Sequence, residues 1–318
     1  MKAPTIIFIH KGNSWYLFYT LWQAKKTNPQ SRVILLGTWE TAYYSWLLGI
    51  EHYPIQIYEE FAHQALEKYI HLSTNGEEFE WFCIARWFIL YDFLTRNSEI
   101  FQCIYLDSDI LVYDSLTEPS QDLSVFAMTM VGYSAHTNFI NDIAFLGQFC
   151  TFVRNYYMED NLRDWLQIQY INFLEKAGAG GISDMTFFDK FRSKYPDKIG
   201  TLLYPMGNHE NLYAFDETLD SSAGSYEVVD NCKALHWINH FPYGKHIETN
   251  ALVKFYTLHF QGQNKLKLRK YVSSKFSNPR LKIIINRLIF LFLKAVSKAL
   301  KIIFLLRNCR PNLRDSHH

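Results

Sequence analysis

The 318-residue sequence has no run of 18 uncharged apolar residues and only five cysteines. The missing apolar run argues against a membrane-spanning helix. Residues 1–8 contain one Lys and a short apolar run, so the pattern of a secretory signal peptide is missing as well. The cysteines lack the paired spacing of a disulfide framework or a zinc site, which predicts free thiols in a reducing, cytoplasmic compartment. They are Cys83, Cys103, Cys150, Cys232 and Cys309.

The composition also lacks the marks of a disordered chain. Apolar residues make up 48% of the sequence and charged residues 20%, so the chain has enough apolar surface to build a folded core. Aromatic residues reach 17%, which predicts dense packing and is compatible with a site where a ligand stacks. We find no internal repeat and no low-complexity linker in the sequence. A folded globular protein is therefore expected.

The formal net charge of +1 conceals an uneven distribution. Residues 265–318 contain fourteen Lys or Arg residues and a single acidic residue, Asp315, so this segment carries a charge of +13. Residues 1–264 consequently carry a charge of −12. Such asymmetry predicts an anionic partner for the C-terminal segment, either a membrane surface or a nucleic acid.

The C-terminal segment has the pattern of a basic amphipathic helix. Asn278 or Ser277 suits the N-cap, and Pro279 suits the first helical position. At about 100° per residue, one narrow stripe collects five cations, namely Arg280, Arg287, Lys294, Lys298 and Lys301. The opposite face is apolar, with Ile285, Leu288, Ile289, Phe292, Leu293, Val296, Leu300 and Ile303. We therefore expect residues 279–307 to lie on the cytoplasmic, anionic face of a membrane.

Two alternatives remain for this segment. It could pack as a helix on its own domain, although helices that only pack usually carry mixed charges. It could also bind nucleic acid, but a helix of that kind needs no apolar stripe. The membrane interpretation explains both faces, so a nucleic-acid partner is not expected.

The rest of the sequence alternates short apolar runs with amphipathic stretches, which is typical of an α/β domain. Residues 5–9, 15–26 and 32–36 predict a βαβ start, whose ligand lies at the carboxyl ends of the strands. Further helices are predicted at 81–94, 159–177 and 184–195, and further strands at 102–106 and 110–113, with short strands and loops over 200–260. We accordingly divide the chain into a domain over residues 1–264 and a basic tail over 265–318.

The sharpest local pattern is a pair of carboxylates, Asp107 and Asp109, directly after the predicted strand at 102–106. On extended backbone, positions i and i+2 point to the same side, so the two carboxylates are expected to lie together. They repel each other unless a cation lies between them, and a divalent ion satisfies both while keeping positions open for phosphate oxygens. The pattern predicts a metal site. The alternative is a turn in which the two side chains cap backbone amides.

The segment Tyr-Leu-Asp-Ser-Asp at 105–109 resembles the Asp-x-Asp motif of glycosyltransferases with the GT-A fold. Three other segments resemble the galactosyltransferase and glycogenin-like group, family 8. Ala-Arg-Trp-Phe-Ile-Leu-Tyr at 85–91 is similar to its Arg-bearing helix, and Gly-Ala-Gly-Gly-Ile-Ser-Asp-Met at 178–185 to its glycine-rich loop and acidic helix start. His-Phe-Gln-Gly-Gln-Asn-Lys at 259–265 is similar to its late His-Phe-x-Gly-x-x-Lys segment. All four occur in the family's order.

The resemblance implies a Rossmann-like nucleotide-sugar domain of the GT-A type and a metal-dependent enzyme. A nucleotide sugar carries a pyrophosphate, and sugar transfer releases a nucleoside diphosphate whose developing charge a metal neutralises. The implied metal ligands are Asp107, Asp109 and His259. The imidazole favours Mn²⁺, and Mg²⁺ is the other choice.

The resemblance also implies roles for the remaining motif residues. Lys265 would contact the diphosphate, and Gly262 would let the backbone approach it. Arg86 and Asp184 are the catalytic candidates: the first would brace the carboxylates or the phosphate, and the second would reach sugar hydroxyls. The nucleoside would lie at the end of the first strand, near His10, Gly12, Asn13 and Tyr16.

Each of these residues has an ordinary structural alternative. Arg86 could form a surface ion pair, Asp184 or Ser183 could cap a helix, and Lys265 could belong to the membrane-facing tail. His259 could simply be a polar residue at a strand end. The run His-Trp-Ile-Asn-His at 236–240 could line an acceptor pocket or contribute aromatic side chains to the core.

The expected activity is transfer of a hexose from a nucleotide sugar, with UDP as the expected nucleotide, to a surface glycan or a lipid-linked acceptor. A nucleotidyltransferase on a similar fold is the nearest alternative, followed by a non-catalytic glycan-binding or scaffold protein. The resemblance implies retention of anomeric configuration. An inverting enzyme would need a carboxylate base near the acceptor, and Asp184 could serve as that base, so both outcomes stay open.

Overall fold

The computed structural model describes residues 3–208 and 211–273, together with Lys294 and Lys298. The strands are β1 (Thr5–His10), β2 (Val33–Gly37), β3 (Glu51–Pro54), β4 (Cys103–Leu106), β5 (Ile110–Val112), β6 (Met128–Met130), β7 (Thr137–Ile140), β8 (Ile199–Thr201), β9 (Met206–Asn208), β10 (Asn211–Phe215), β11 (Val228–Val229), β12 (Cys232–Lys233), β13 (Leu235–Ile238), β14 (Phe241–Lys245) and β15 (Leu252–His259).

The helices are α1 (Leu17–Thr27), α2 (Tyr44–Leu48), α3 (Gln56–Ala65), α4 (Glu77–Arg96), α5 (Thr117–Asp122), α6 (Ile143–Met158), α7 (Asp160–Ala177), α8 (Asp184–Lys194) and α9 (Leu268–Tyr271). Three short 3₁₀ helices cover Trp39–Thr41, Leu123–Val125 and Gly262–Lys267.

A five-stranded sheet with the order β3-β2-β1-β4-β7 lies at the centre of the fold. Its first four strands are parallel, and β7 pairs antiparallel with β4. Because β1 is hydrophobic at nearly every position, both of its faces can be covered. Ile7 and Ile9 face a layer that includes α3, α4, α6 and α8, while Ile6 and Phe8 face α1 and α2. Each fully buried side chain of this size contributes roughly 1.5–3 kcal/mol to folding. The α/β class expected from the sequence is confirmed.

A second sheet has the order β13-β14-β15-β10-β9, and β5 pairs antiparallel with the last three residues of β15, Thr257–His259. The chain passes from one sheet to the other between β4, which belongs to the central sheet, and β5, which belongs to the second one. Only residues 107–109 separate these two strands. The Asp-x-Asp segment therefore lies at the junction of the sheets, at the carboxyl end of β4.

Most of the predicted elements occur, with shifts of a few residues. The helix predicted at 81–94 covers Glu77–Arg96, and the strand predicted at 110–113 ends at Val112. Among the helices, the sequence interpretation missed α2, α3, α5 and α6, although the apolar residues of α3 lie on one side of that helix. Four of the five cysteines are described and are free thiols, as expected: Cys83, Cys103, Cys150 and Cys232.

The predicted membrane helix at 279–307 lies outside the described residues, apart from Lys294 and Lys298, which are both helical and exposed. The first residues of the basic segment pack on the body, since Leu268 and Val272 are buried. Within the described part of the chain, we find no helix that combines the length and the apolar character needed to cross a bilayer.

Candidate functional site

The Asp-x-Asp segment forms a tight turn between β4 and β5. The carbonyl oxygen of Asp107 accepts the N–H of Ile110 at 3.2 Å, and the N–H of Asp107 donates to the carbonyl of His136 at 2.8 Å. The turn brings Asp107 and Asp109 together. The expectation that the two carboxylates share one face of an extended strand is therefore wrong, although their proximity is as expected.

His259 reaches this turn through strand pairing. It ends β15, which runs antiparallel to β5 and places His259 opposite Ile110. The imidazole consequently lies beside Asp109, with Nε2 3.5 Å from Oδ1. The other ring nitrogen, Nδ1, is 2.5 Å from the carbonyl oxygen of Glu217. A carbonyl only accepts, so Nδ1 carries the hydrogen and the Nε2 of a neutral ring keeps a lone pair on the side of the carboxylates.

Asp107, Asp109 and His259 can each offer one ligand atom, and these atoms lie within 4.8 Å of one another. Two carboxylate oxygens and one imidazole nitrogen form a donor set for Mn²⁺ or Mg²⁺. The carbonyl on Nδ1 adds the hydrogen bond that orients a ligating imidazole. The residues therefore fit the divalent ion that the resemblance implies.

Two cations flank the carboxylates from different elements. Lys265, in the 3₁₀ helix after β15, places Nζ 3.1 Å from Oδ2 of Asp109. Arg86, in the middle of α4, donates through Nη1 to Oδ1 of Asp107 at 2.8 Å and through Nη2 to Oδ2 of Asp184 at 2.6 Å. The alternative expectation for Arg86 was a surface ion pair. Arg86 does form ion pairs, but they are largely buried and link two candidate site residues, Asp107 and Asp184.

Asp184 enters the site as the first residue of α8. Ser183 caps this helix, because its side chain accepts the N–H of Thr186 while the hydroxyl of Thr186 accepts the N–H of Ser183. Capping is thus the role of Ser183, and the carboxylate of Asp184 instead accepts hydrogen bonds from Arg86 and from the indole N–H of Trp87 at 3.0 Å. A carboxylate in the first turn also suits the positive end of the helix dipole.

The charges of the site shift its pKa values in different directions. Burial raises the pKa of Asp107, and Arg86 only partly offsets this effect. Burial also disfavours the anion of Asp109, but His259 and Lys265 outweigh it and hold the pKa of Asp109 below its usual range. Burial disfavours the imidazolium of His259, yet the neighbouring Asp109 raises its pKa to about 9. The carboxylates of the site thus favour a positive charge beside them.

The residues expected near the nucleoside lie at the end of β1 and in the following loop. His10 is buried, with Nδ1 2.8 Å from the hydroxyl of Ser108 and Nε2 3.0 Å from that of Ser14. The ring of Tyr16 lies 5.9 Å from the His10 ring, and the ammonium of Lys265 lies 5.6 Å from the Tyr16 ring centre. His10 and Tyr16 therefore adjoin the carboxylate turn.

Asn13 and Gly12 lie on the other side of this loop. The Oδ1 atom of Asn13 accepts the hydroxyls of Tyr43 at 3.1 Å and Tyr44 at 3.3 Å. Gly12 has a φ of 82°, in the left-handed region that favours glycine, and a Cβ atom added there would lie 3.9 Å from Oε1 of Glu40. Asn13 therefore joins the β1 loop to the segment after β2, and Gly12 faces the same segment.

Two further glycines shape the approaches to the site. Gly262 has a φ of 58° and begins the 3₁₀ helix that carries Lys265. Gly181 lies against a neighbouring segment, where a Cβ atom would come within 2.3 Å of the Leu72 carbonyl and 2.7 Å of the Ser73 Cβ. Glycine at 181 thus allows the glycine-rich loop to pack there and fixes the start of α8.

Sequence reasoning missed several partners of the site. Tyr105 donates its hydroxyl to Oδ1 of Asp107 at 2.5 Å, and it lies two positions before that residue in the same motif. His136 stacks on His259 with ring centres 4.1 Å apart. Asp216 accepts the N–H of His259 at 3.1 Å and pairs with the fully buried ammonium of Lys233 at 2.7 Å. Spacing near the motif could have indicated Tyr105, but nothing in the sequence pointed to the others.

We expect the buried imidazole of His10 to make folding stability depend on pH. Burial lowers the pKa of His10 to about 4, against 6.5 in the unfolded chain. The unfolded chain therefore binds more protons between these values, and the free energy of unfolding falls by about 3 kcal/mol as the pH drops from about 6.5 to about 4. Above pH 6.5 this contribution is fully present.

Urea unfolding at several pH values between 7 and 4 tests this expectation. His10→Gln removes the titrating group but keeps a polar side chain, so its free energy of unfolding should fall less steeply than that of the wild type over this interval. Parallel pH profiles of the two proteins would contradict the assignment.

No family model matches the chain, and no curated protein matches it. Solved structures do match. Mouse xyloside xylosyltransferase 1, in its apo form, is 10% identical over 63% of this chain and 85% of that chain, with a TM-score of 0.44. The galactosyltransferase LgtC, in complex with donor and acceptor sugar analogues, is 12% identical over 86% of this chain and 97% of that chain, with a TM-score of 0.39.

The glycosyltransferase GlyE of Streptococcus pneumoniae is 17% identical, with a TM-score of 0.33. This match covers 64% of the present chain but only 45% of GlyE, so the chain spans less than half of that protein. All three proteins are glycosyltransferases.

Proposed function

We propose that this chain is a metal-dependent glycosyltransferase that moves a hexose from a UDP-sugar to a surface glycan or a lipid-linked acceptor. The observation that carries the proposal is the cluster of Asp107, Asp109 and His259, whose ligand atoms lie within 4.8 Å of one another. Chain segments that are remote in sequence meet there, with Arg86 and Lys265 beside them. A solvated acidic surface would not need this arrangement.

The formal charges of the site suit a nucleoside diphosphate. Three carboxylates, Asp107, Asp109 and Asp184, face two permanent cations, Arg86 and Lys265. When His259 is neutral, as a metal ligand must be, the sum is −1, and a divalent ion would bring it to +1. A diphosphate would then meet a positive site, whose field stabilises the charge that develops when the sugar leaves.

The side chains of the site would have separate roles in sugar transfer. A bound Mn²⁺ or Mg²⁺ would supply Lewis-acid stabilisation of the leaving diphosphate. Lys265 would add a second positive charge to the diphosphate from the Asp109 side. Arg86 holds Asp107 and Asp184 in fixed positions. Asp184 would orient the transferred sugar through its hydroxyls, because a carboxylate is a strong hydrogen-bond acceptor.

The nucleoside would lie between the end of β1 and the segment after β2. His10, Gly12, Asn13 and Tyr16 line this region, and aromatic rings are available for stacking. We further propose that the basic segment over 279–307 holds the enzyme on the cytoplasmic face of an anionic membrane. The exposure of Lys294 and Lys298 agrees with their position in the predicted cationic stripe.

A donor screen tests the enzymatic proposal. The full-length protein is incubated with Mn²⁺ and with UDP-, GDP-, ADP- and CMP-sugars, and the released nucleotide is identified. We expect slow release of UDP from one UDP-sugar, and removal of the metal with EDTA should abolish it. Release of pyrophosphate would instead indicate a nucleotidyltransferase. If no donor releases its nucleotide, calorimetry of UDP binding in the presence of Mn²⁺ distinguishes two cases. Binding of UDP would show that only the acceptor is missing, whereas failure to bind UDP would contradict the proposal.

A further inference from the structure

An exposed apolar tip projects from the second sheet. Strands β13 and β14 form a hairpin that turns at Asn239 and His240, both at positive φ. Immediately before the turn, Trp237 is 46% exposed and Ile238 is 41% exposed. The sequence left open whether 236–240 contributes aromatic side chains to the core, and this exposure shows that it does not. An exposed Trp-Ile pair beside a hairpin turn suggests a contact surface.

The tip lies beside the place where the basic segment leaves the body. The ring of Trp237 is 6.4 Å from that of Tyr271 and 5.7 Å from that of Tyr113. Tyr271 ends α9, two residues before the last residue of the continuous described chain, Ser273. The ammonium of Lys267 lies 3.0 Å from Sγ of Cys232, just before the hairpin. The hairpin and the start of the basic segment are therefore neighbours.

The hairpin and the start of the basic segment each lack acidic residues of their own. Residues 235–245 contain no acidic residue, and residues 261–273 contain four cations and no acidic residue. The four cations are Lys265, Lys267, Arg269 and Lys270, of which the last two are exposed. An apolar tip with cations beside it is suited to the interface of an anionic bilayer, where Trp rings and basic side chains concentrate.

We propose that the hairpin tip, Trp237 with Ile238, inserts into the headgroup region of an anionic membrane, while the neighbouring cations contact lipid phosphates. The proposal deepens the proposed function, on which it rests for a membrane-borne acceptor. Residues 274–318 carry a further +9 and would bring like charges together if they folded onto this surface, whereas anionic lipid neutralises both. Lipid is therefore the favoured occupant.

The position of the hairpin tip also determines where the candidate site would lie relative to the membrane. Lys265 contacts Asp109 at 3.1 Å, and only one residue separates it from Lys267, which contacts Cys232 just before the hairpin. A membrane that holds the hairpin consequently passes close to the carboxylate turn. This geometry favours an acceptor whose sugar end stands just above the bilayer surface, such as a glycolipid.

Vesicle sedimentation with the full-length chain tests the surface. The vesicles contain phosphatidylcholine and phosphatidylglycerol at about two to one, which gives them a negative surface potential. The double variant Trp237→Ser with Ile238→Ser should bind roughly tenfold more weakly than wild type, because it loses apolar area that the interface would bury. Ile168→Ser with Ile171→Ser is the matched control, since these residues of α7 are 55% and 53% exposed, and its binding should not change.

Brominated lipids give a second readout. They should quench part of the tryptophan fluorescence of the wild type, and Trp237→Phe should remove that part. Binding of the double variant equal to that of wild type would overturn the proposal. Quenching that Trp237→Phe leaves unchanged would also overturn it, and would indicate that the tip packs against protein.

The release of UDP in the absence of vesicles separates this inference from the enzymatic proposal. The double variant should release UDP at the wild-type rate. If neither protein releases or binds UDP while the double variant still loses vesicle binding, the membrane surface stands and the glycosyltransferase proposal fails. If the double variant loses turnover without vesicles, the tip lines an acceptor pocket and the membrane assignment is wrong.

Discussion

Asp109→Asn is expected to lower the rate of UDP release by about a thousandfold or more, because it removes the charge on which the metal site depends. Asp109 is the only residue of the cluster that contacts both His259 and Lys265, at 3.5 and 3.1 Å. The amide of asparagine keeps the shape of the side chain, but it is uncharged and has one oxygen where the carboxylate has two. Mn²⁺ affinity, measured by calorimetry, should fall together with turnover.

Asp160→Asn is the matched control for this experiment. It makes the same chemical change in an exposed ion pair with Arg163 at the start of α7. Exposed pairs of this kind contribute about 0–1 kcal/mol to stability, so turnover and Mn²⁺ affinity should stay within about twofold of wild type. If Asp109→Asn retained wild-type turnover with the same metal requirement, the metal would have to bind elsewhere.

The sequence indicated the site residues better than it indicated their geometry. Asp107 and Asp109 were recognised through their position after a strand, but the turn that joins them depends on a carbonyl from His136, which no local pattern reveals. His259 lies 150 positions after Asp109, and the register between β15 and β5 places the two side by side. Such a register results from the packing of the whole second sheet, so single-sequence periodicity does not contain it.

The groups that hold His259 in place could not be predicted from the sequence, for a different reason. The carboxylate of Asp216 holds the N–H of His259, and the fully buried ammonium of Lys233 neutralises that carboxylate at 2.7 Å. An isolated Asp and an isolated Lys read as ordinary surface residues. Only the fold shows that they compensate each other in the interior. The same limit applied to Trp87, which adjoins the recognised Arg86 and yet gave no sign that its indole binds Asp184.

Arg86→Ala should destabilise the fold by about 3–5 kcal/mol, since it leaves two buried carboxylates without their shared cation. The side chain of Arg86 is 13% exposed, and those of Asp107 and Asp184 are 19% and 7% exposed. Equilibrium unfolding in urea measures the effect. Arg96→Ala, on the same helix but in a half-exposed ion pair with Asp92, should cost less than about 1 kcal/mol.

A second pair of variants tests whether the loss comes from the unpaired charges. Arg86→Lys keeps the positive charge, but one ammonium cannot reproduce the fork that joins Asp107 to Asp184, so its stability should fall between wild type and Arg86→Ala. Adding Asp184→Asn to Arg86→Ala removes one of the stranded charges and should restore part of the lost stability. If the Arg86→Ala variant were as stable as the Arg96→Ala variant, the ion pairs of Arg86 with Asp107 and Asp184 would contribute little to the stability of the fold. The carboxylates would then be held apart by Tyr105, Trp87 and the turn alone.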